Sequence, residues 1–546
     1  MNDTKPEKID DVWLLLSNLQ RMYQEMSSKE DLQGQKIGIF IFGTGQGGQA
    51  VLQHLNEDFS SDSFQYQIKG FFDNNALKTG TTINGIPVYN PQKEMVGVGD
   101  IVIIASLMHS YDMEVQLLEM GVEEDKITLP GNWLGEVLSS MQEDQSALSS
   151  SSHVEPTIEQ YEQYVSNLFK SASSKSDEFI EYDKNFHIDF QEDDVKLIAF
   201  YLPQFHTIPE NDKWWGRGFT EWTNVTKAVP QFMGHHQPQL PIDIGFYDLR
   251  NIEVMKRQVE LARKYGISGF CFHHYWFGGK RLLETPVNNL LAHKDLDMPF
   301  CLCWANENWT RRWDGLENEI LIAQKHSPED DLAFIEDAAQ YFRDRRYIRI
   351  NGKPLFIVYR PLLFPNIKET IKNWRAYCRH AGIGEIFIAG VNAFAFNNPQ
   401  MYGFDAVLEF PPNNFFSNDI TDQISTINSS FSGRIYDYSC CVERSNHFKR
   451  DGVTTFKGVM PGWDNTARKP NNPTIFYGSN PKVYQKWLES VIQLTKVSLS
   501  SEHQIVFINA WNEWAEGAHL EPDRKYGYGN LQATANAIIN SRISKK

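Results

Sequence analysis

Gln504-Ile505-Val506-Phe507-Ile508-Asn509-Ala510 runs directly into Trp511-Asn512-Glu513-Trp514-Ala515-Glu516-Gly517. A short apolar run that ends in polar and aromatic residues has the pattern of a strand buried on both faces, as in a parallel sheet. Two glutamates three apart at such a strand end are costly to bury, because unpaired carboxylates lose their hydration. A salt-bridged structural pair would explain one of them. Two, set among Trp511, Asn512 and Trp514, point to a site, since perturbed carboxylates cluster where chemistry is done.

The same figure recurs along the chain. Apolar strand-like runs occupy 195–203, 266–276, 298–306, 353–360, 385–392, 404–410, 454–462 and 504–511, and amphipathic helical patterns stand at 249–265, 328–346, 367–381 and 481–498. Eight such repeats over about 350 residues are the count for a (β/α)8 TIM barrel with long loops. A doubly wound sheet is the rival. The barrel is preferred because chemistry-bearing residues stand at the C-terminal ends of nearly all the runs, where barrels build their sites.

Before the barrel, the sequence predicts three further pieces. Residues 1–35 carry a helical apolar stripe (Ile9, Val12, Leu15, Leu16, Leu19, Met22, Tyr23, Met26) suited to packing or dimerisation. Residues 36–130 look like a small Rossmann-like parallel α/β domain: a strand at 36–42, the turn Gly43-Thr44-Gly45-Gln46-Gly47-Gly48, a helix, then strands at 67–72 and 100–106. Gly43, Gly45 and Gly48 would let phosphate approach the helix N-terminus, and Asp73 stands where a carboxylate could bind a ribose hydroxyl. A nucleotide or nucleotide sugar is the cofactor such a turn would hold, and, since only a mononucleotide half is present, a degenerate docking domain is the alternative; the barrel needs no cofactor. Residues 131–190 form a Ser-rich linker with a helix at 157–171, and the barrel fills 191–546. The fold class is thus α/β, a C-terminal (β/α)8 barrel preceded by the Rossmann-like domain.

Composition narrows the partners. A net charge of −17 argues against nucleic acid or an anionic membrane surface. Aromatics make up 13% of the chain, with 14 Trp, and such rings suit stacking on sugars. The six cysteines show no C-x-x-C spacing, which fits free thiols in a reducing compartment and no metal. The start of the chain has no apolar signal region and no stretch approaches eighteen apolar residues, so a cytoplasmic protein without transmembrane segments is expected. Oligomeric state is left open.

No G-x-S-x-G, P-loop or H-E-x-x-H motif is present. Paired carboxylates in an aromatic-rich barrel mouth suit glycosidic chemistry, in which one acid protonates the leaving oxygen and its partner assists displacement. Glu513 and Glu516 are the catalytic candidates. His206, Trp222, His274, Tyr275, Trp304, Asn306, Glu307, Tyr359, Trp463, Asp464, Asn465, Arg468, Asn512 and Trp514 are the candidates for binding a glycan or glycolipid-linked oligosaccharide.

Several long motifs, in order, resemble the WbsX family: Ile198-Ala199-Phe200-Tyr201-Leu202-Pro203-Gln204-Phe205-His206, Trp214-Trp215-Gly216-Arg217-Gly218-Phe219-Thr220-Glu221-Trp222, Cys303-Trp304-Ala305-Asn306-Glu307-Asn308-Trp309-Thr310, Pro461-Gly462-Trp463-Asp464-Asn465-Thr466-Ala467-Arg468, and the Asn512–Gly517 segment. The family is described as glycosyltransferase-like, occurs in bacterial surface-polysaccharide (O-antigen and capsule) loci and is related to family 99 glycoside hydrolases, retaining α-mannosidases on a TIM barrel. The resemblance implies that Glu513 acts on a sugar 2-hydroxyl through a 1,2-anhydro intermediate and that Glu516 is the general acid/base. The sequence departs at Ala515, where those hydrolases carry histidine. Phe72-Asp73-Asn74 with Asn84-Gly85-Ile86-Pro87-Val88 similarly resembles the nucleotide-sugar-binding domains of sugar acyltransferases. A polysaccharide glycosyltransferase and a glycan-binding protein with a decayed site are the alternatives.

Overall fold

The computed structural model describes residues 36–128 and 157–543, apart from 59–65, 75–77, 98–99, 106–109, 124–125, 174, 312–315, 394–395, 397–398, 414, 416 and 445–451. The helix expected over 1–35 and the serine run of the linker lie outside the described residues. The chain divides into two compact units, Met1–His153 and Val154–Lys546.

In the first unit, β1 (Ile37–Phe42) leads through the glycine turn into α1 (Gln46–Asp58), followed by β2 (Tyr66–Phe72), β3 (Thr82–Ile83), β4 (Ile86–Tyr89), β5 (Asp100–Ile104), α2 (Ser110–Glu119) and β6 (Ile127–Thr128). The strand order is β3-β4-β2-β1-β5-β6. β1 is buried along its whole length because it lies between β2 and β5 in the sheet. The sheet is mixed where a wholly parallel one was expected: β3 and β4 pair antiparallel. Their turn is Asn84-Gly85, both with positive φ, as a two-residue hairpin loop requires.

The second unit begins with α3 (Ile158–Ser173) and contains eight parallel strands: β7 (Lys196–Tyr201), β8 (Gly269–Phe277), β9 (Phe300–Trp304), β10 (Lys353–Val358), β11 (Phe387–Val391), β12 (Ala406–Leu408), β13 (Thr454–Val459) and β14 (Ile505–Ile508). Each pairs with the next, and β14 pairs back onto β7, Ile505 opposite Lys196, closing the barrel. All eight expected runs are strands, most of them shorter than the apolar stretch that announced them. The helices α4 (Ile252–Lys264), α5 (Pro328–Phe342), α6 (Ile367–His380), α7 (Pro481–Ser498) and α8 (Gly529–Ile543) surround them. The first four start at capping residues, Asn251, Ser327, Asn366 and Asn480, whose side chains accept from amides of the first turn.

The strands are apolar on both sides because one side fills the barrel and the other packs on helices. Cys271, Cys301 and Cys303 interact with one another, and burial pushes the Cys271 thiol well up. On the helix side, Trp304 stacks on Phe334 of α5 at 3.8 Å and meets Trp374 of α6. No helix among the described residues is long and apolar enough to cross a membrane.

Candidate active site at the barrel mouth

β14 ends at Ile508, and its continuation builds the site. Asn512–Glu513 pairs antiparallel with Ala518–His519, and the tip of this hairpin is a single 3-10 turn, Trp514–Glu516. Glu513 precedes this turn and Glu516 closes it, and both carboxylates reach one guanidinium, that of Arg468. Gly517 closes the turn at φ +61°, and a Cβ there would lie 3.1 Å from the Cβ and the backbone nitrogen of Asp464. Gly517→Ala is therefore expected to cost about 1–3 kcal/mol from backbone strain. By displacing Glu516 it should also lower kcat/KM by up to about 10²-fold, which urea unfolding and steady-state kinetics would measure together.

Arg468 organises the carboxylates. Its Nη2 donates to Glu513 at 3.0 Å, its Nε to Glu221 at 2.8 Å, and its Nη1 to Glu516. Glu221 is fully buried at the start of the helix Glu221–Lys227, and its Oε2 has no hydrogen-bond partner among the described residues. One guanidinium thus serves three carboxylates, so a retained proton relieves their repulsion. Burial raises Glu513 to about 8, assisted by Glu516 and Glu221 and opposed by Arg468. His273 Nε2 lies 4.0 Å from Glu513; burial, followed by Arg468, lowers His273 to about 4, so it faces the acid as a neutral imidazole. Tyr275 receives a hydrogen bond from Gln204 at 3.0 Å, and its hydroxyl is pushed far up by burial and then by Glu513. Gln204 Oε1, His273 Nδ1 and Trp463 Nε1 are buried without partners among the described residues.

The other binding candidates divide between wall and framework. Tyr359 packs edge-on to Phe410, its hydroxyl raised by burial and by Glu307 and Glu516, and Glu307 pairs with Arg360. Asn306 ties its amide to the backbone of Arg360, and Asn465 accepts from Thr474. Asn512 exchanges hydrogen bonds with both backbone groups of Leu202, at 2.7 and 3.0 Å, so its amide joins the end of β14 to that of β7 instead of orienting a sugar. Asp464 is occupied by His235, Gln237 and Thr466. Trp514 stacks on His519 and packs against Trp222, whose indole donates to the carbonyl of Tyr247. His274 and Trp304 face α5, because alternate strand residues point to opposite sides. His206 is buried with Asp248 as its first charged neighbour.

Two site acids had no role in the sequence reading. Glu221 was visible only as part of a tryptophan-rich motif. Glu521 lies behind the hairpin and accepts from Gln258, Trp511, Tyr247 and Trp514 at 2.6–3.0 Å. Burial nevertheless raises it to about 7, against those four hydrogen bonds. It locks both tryptophans that flank Glu513.

The glycine turn of the first unit has its own geometry. Gly43 takes φ +111°, and Gly48 packs so close that a Cβ would lie 1.9 Å from the carbonyl oxygen of Gly43, while Gly45 is open. The Asp73 carboxylate receives the Thr44 hydroxyl and, at 3.3 Å, the Lys78 ammonium.

A family model described as Glycosyltransferase WbsX matches residues 197–534, the whole span that builds the barrel mouth. The chain belongs to the WbsX glycosyltransferase family. Membership points to a glycan-active protein. Residues 35–128 match a second family, C2185-like, N-terminal, where the sequence reading had placed a Rossmann-like nucleotide-sugar module. An uncharacterized protein, WxcX, from Xanthomonas campestris pv. campestris strain B100 is 49% identical over 345 residues, 63% of this chain and 50% of that protein. Its counterpart in strain ATCC 33913 is equally similar. The chain spans about half the length of the curated relatives it matches. Among solved structures, a glycoside hydrolase-like protein aligns at 16% identity and TM-score 0.42, covering 66% of this chain and 98% of that one. The GH99 endo-alpha-mannosidase from Bacteroides thetaiotaomicron aligns at 15% identity and TM-score 0.40, over 66% of this chain and 100% of that one.

Proposed function

We propose that the barrel acts at the anomeric carbon of an α-linked, mannose-type glycan in bacterial surface-polysaccharide metabolism, with Glu513 and Glu516 as its acid–base pair. The observation that carries this reading is the cluster of Glu221, Glu513 and Glu516 around the single guanidinium of Arg468. A buried, net-negative mouth stabilises the positive charge that develops on a sugar ring as its glycosidic bond breaks. Unpartnered Gln204, His273 and Trp463 atoms supply hydrogen bonds for sugar hydroxyls. In this proposal Glu513 takes the proton of the 2-hydroxyl, which displaces the leaving group and preserves anomeric configuration after water or an acceptor opens the ring. Glu516 protonates the leaving oxygen and then deprotonates the incoming one.

A carboxylate raised to about 8 is a stronger base than an ordinary one, and its basic form grows as pH rises. The kcat/KM profile is therefore expected to climb between about pH 7 and 9, with a midpoint belonging to the coupled cluster. A rate that is flat across this interval would remove Glu513 as base. Incubation with α-mannosides, and separately with labelled nucleotide sugars plus acceptor, distinguishes hydrolysis from transfer: new reducing ends mark the first, label in the acceptor the second. In the transfer reading, the Gly43–Gly48 turn and Asp73 would hold a nucleotide sugar.

A further inference from the structure

We infer that the corner of the barrel mouth formed by Glu221 and Gln204 is a subsite for a cation, the protonated amine of an amino sugar that neighbours the reacting unit of the glycan. That the amine belongs to a glycan rests on the glycosidic reading; the cation subsite itself does not.

Two buried acceptors stand in this corner without a donor. Glu221 is 0% exposed; its Oε1 accepts from Arg468 at 2.8 Å, while its Oε2 has no hydrogen-bond partner among the described residues. Gln204 is 7% exposed, and its Nε2 donates to the Tyr275 hydroxyl at 3.0 Å. That leaves its Oε1 buried and equally without a partner among the described residues. The two residues come from separate segments that the backbone ties together, the Glu221 amide donating to the Gln204 carbonyl at 3.2 Å. Both act on Tyr275, so their side chains reach the same place. Thr220 and Thr223 close a capping box at the start of the helix Glu221–Lys227, which fixes where the carboxylate points.

Charge directs the choice of ligand. Among the described residues Glu221 pairs with one cation, Arg468, and shares it with Glu513 and Glu516. Its charge is therefore only partly met inside the protein. The chain carries −17 overall, a field that draws cations towards the mouth. A sugar hydroxyl brings one proton and no charge, so it would satisfy one acceptor and leave the carboxylate uncompensated. An ammonium brings three protons and a positive charge, and it meets Glu221 Oε2, Gln204 Oε1 and the imbalance together. Because Glu513 is assigned the 2-hydroxyl of the reacting sugar, the amine stands on the neighbouring unit.

The test uses the full chain and reads binding by calorimetry at constant ionic strength. The probes are methyl α-D-glucosaminide, its N-acetyl derivative, methyl α-D-glucoside and, for charge alone, methylammonium chloride. The free amino sugar is expected to bind about 10- to 100-fold more tightly than either neutral glycoside, the worth of one charge-assisted hydrogen bond. Glu221→Gln keeps the shape and removes the charge, and it should abolish that preference. If this variant does not fold, Gln204→Met, which removes one acceptor, should lower the preference several-fold. Equal binding of the three glycosides by the wild type, binding of methylammonium as tight as that of the glucosaminide, or an unchanged preference in Glu221→Gln would overturn the subsite. Binding is read without turnover, so the two readings fail separately. Amine preference in a protein inactive on every α-glycan would end the glycosidic reading alone, and cleavage without amine preference would end this one alone.

Discussion

Glu513→Gln and Glu516→Gln are each expected to lose roughly 10²–10⁴-fold in kcat/KM on an α-linked glycan, the usual contribution of a positioned acid or base. Both substitutions keep size and hydrogen-bonding capacity, so far-UV CD should not change. A stability measurement separates loss of chemistry from loss of fold. The folded pKa of Glu513, about 8, lies above the ordinary carboxylate value of 4.5. Folding thus carries no penalty from this group below about pH 4.5; the penalty accumulates through pH 4.5–8 and is complete above. Glu513→Gln removes it, so the variant should gain stability relative to wild type as pH rises through that window. Wild-type activity in either variant would end the acid–base assignment.

Arg468→Met should be the most destabilising single change at the barrel mouth. It leaves Glu221, Glu513 and Glu516 buried without their shared cation, and loss of one partner from a buried ion cluster costs about 3–5 kcal/mol. The sign of the pH dependence follows from the same cluster. Without the guanidinium, which opposes the rise at Glu513, that carboxyl is raised further, so the loss is greatest above pH 8 and shrinks towards pH 4.5 as Glu513 becomes protonated in the unfolded as well as the folded state. Urea unfolding of wild type and variant at pH 5 and pH 8 would measure this. Equal destabilisation at both values would mean that Arg468 acts by packing alone.

The barrel was legible because each strand buries both faces, which makes its apolar run conspicuous, and because capping residues mark the helix starts. The same property hides the parity of the strands. In β8, apolar residues flank His273 and His274 on both sides, and the sequence favoured His274; in the fold His273 faces Glu513 and His274 faces α5. The glutamate pair was visible because both acids sit on one short segment. Glu221 is 247 residues from Arg468 in sequence, and only closure of the barrel brings them together. Asn512, Asp464 and Trp514 stand among site residues in the sequence, but their polar atoms are engaged by the protein itself, and that is decided by neighbours distant in the chain.

The tie between Asn512 and Leu202 has a consequence for how the protein is made. A ribosome delivers β7 early and β14 last, about 300 residues later in the same barrel. Until residues 505–508 emerge, β7 and β13 both present unpaired backbone edges, the kind of surface that seeks partners in other chains. The last strand therefore seals the sheet and brings the glutamate pair to the barrel mouth in one event, so a nascent chain completes this acidic cluster only as its sticky edges disappear.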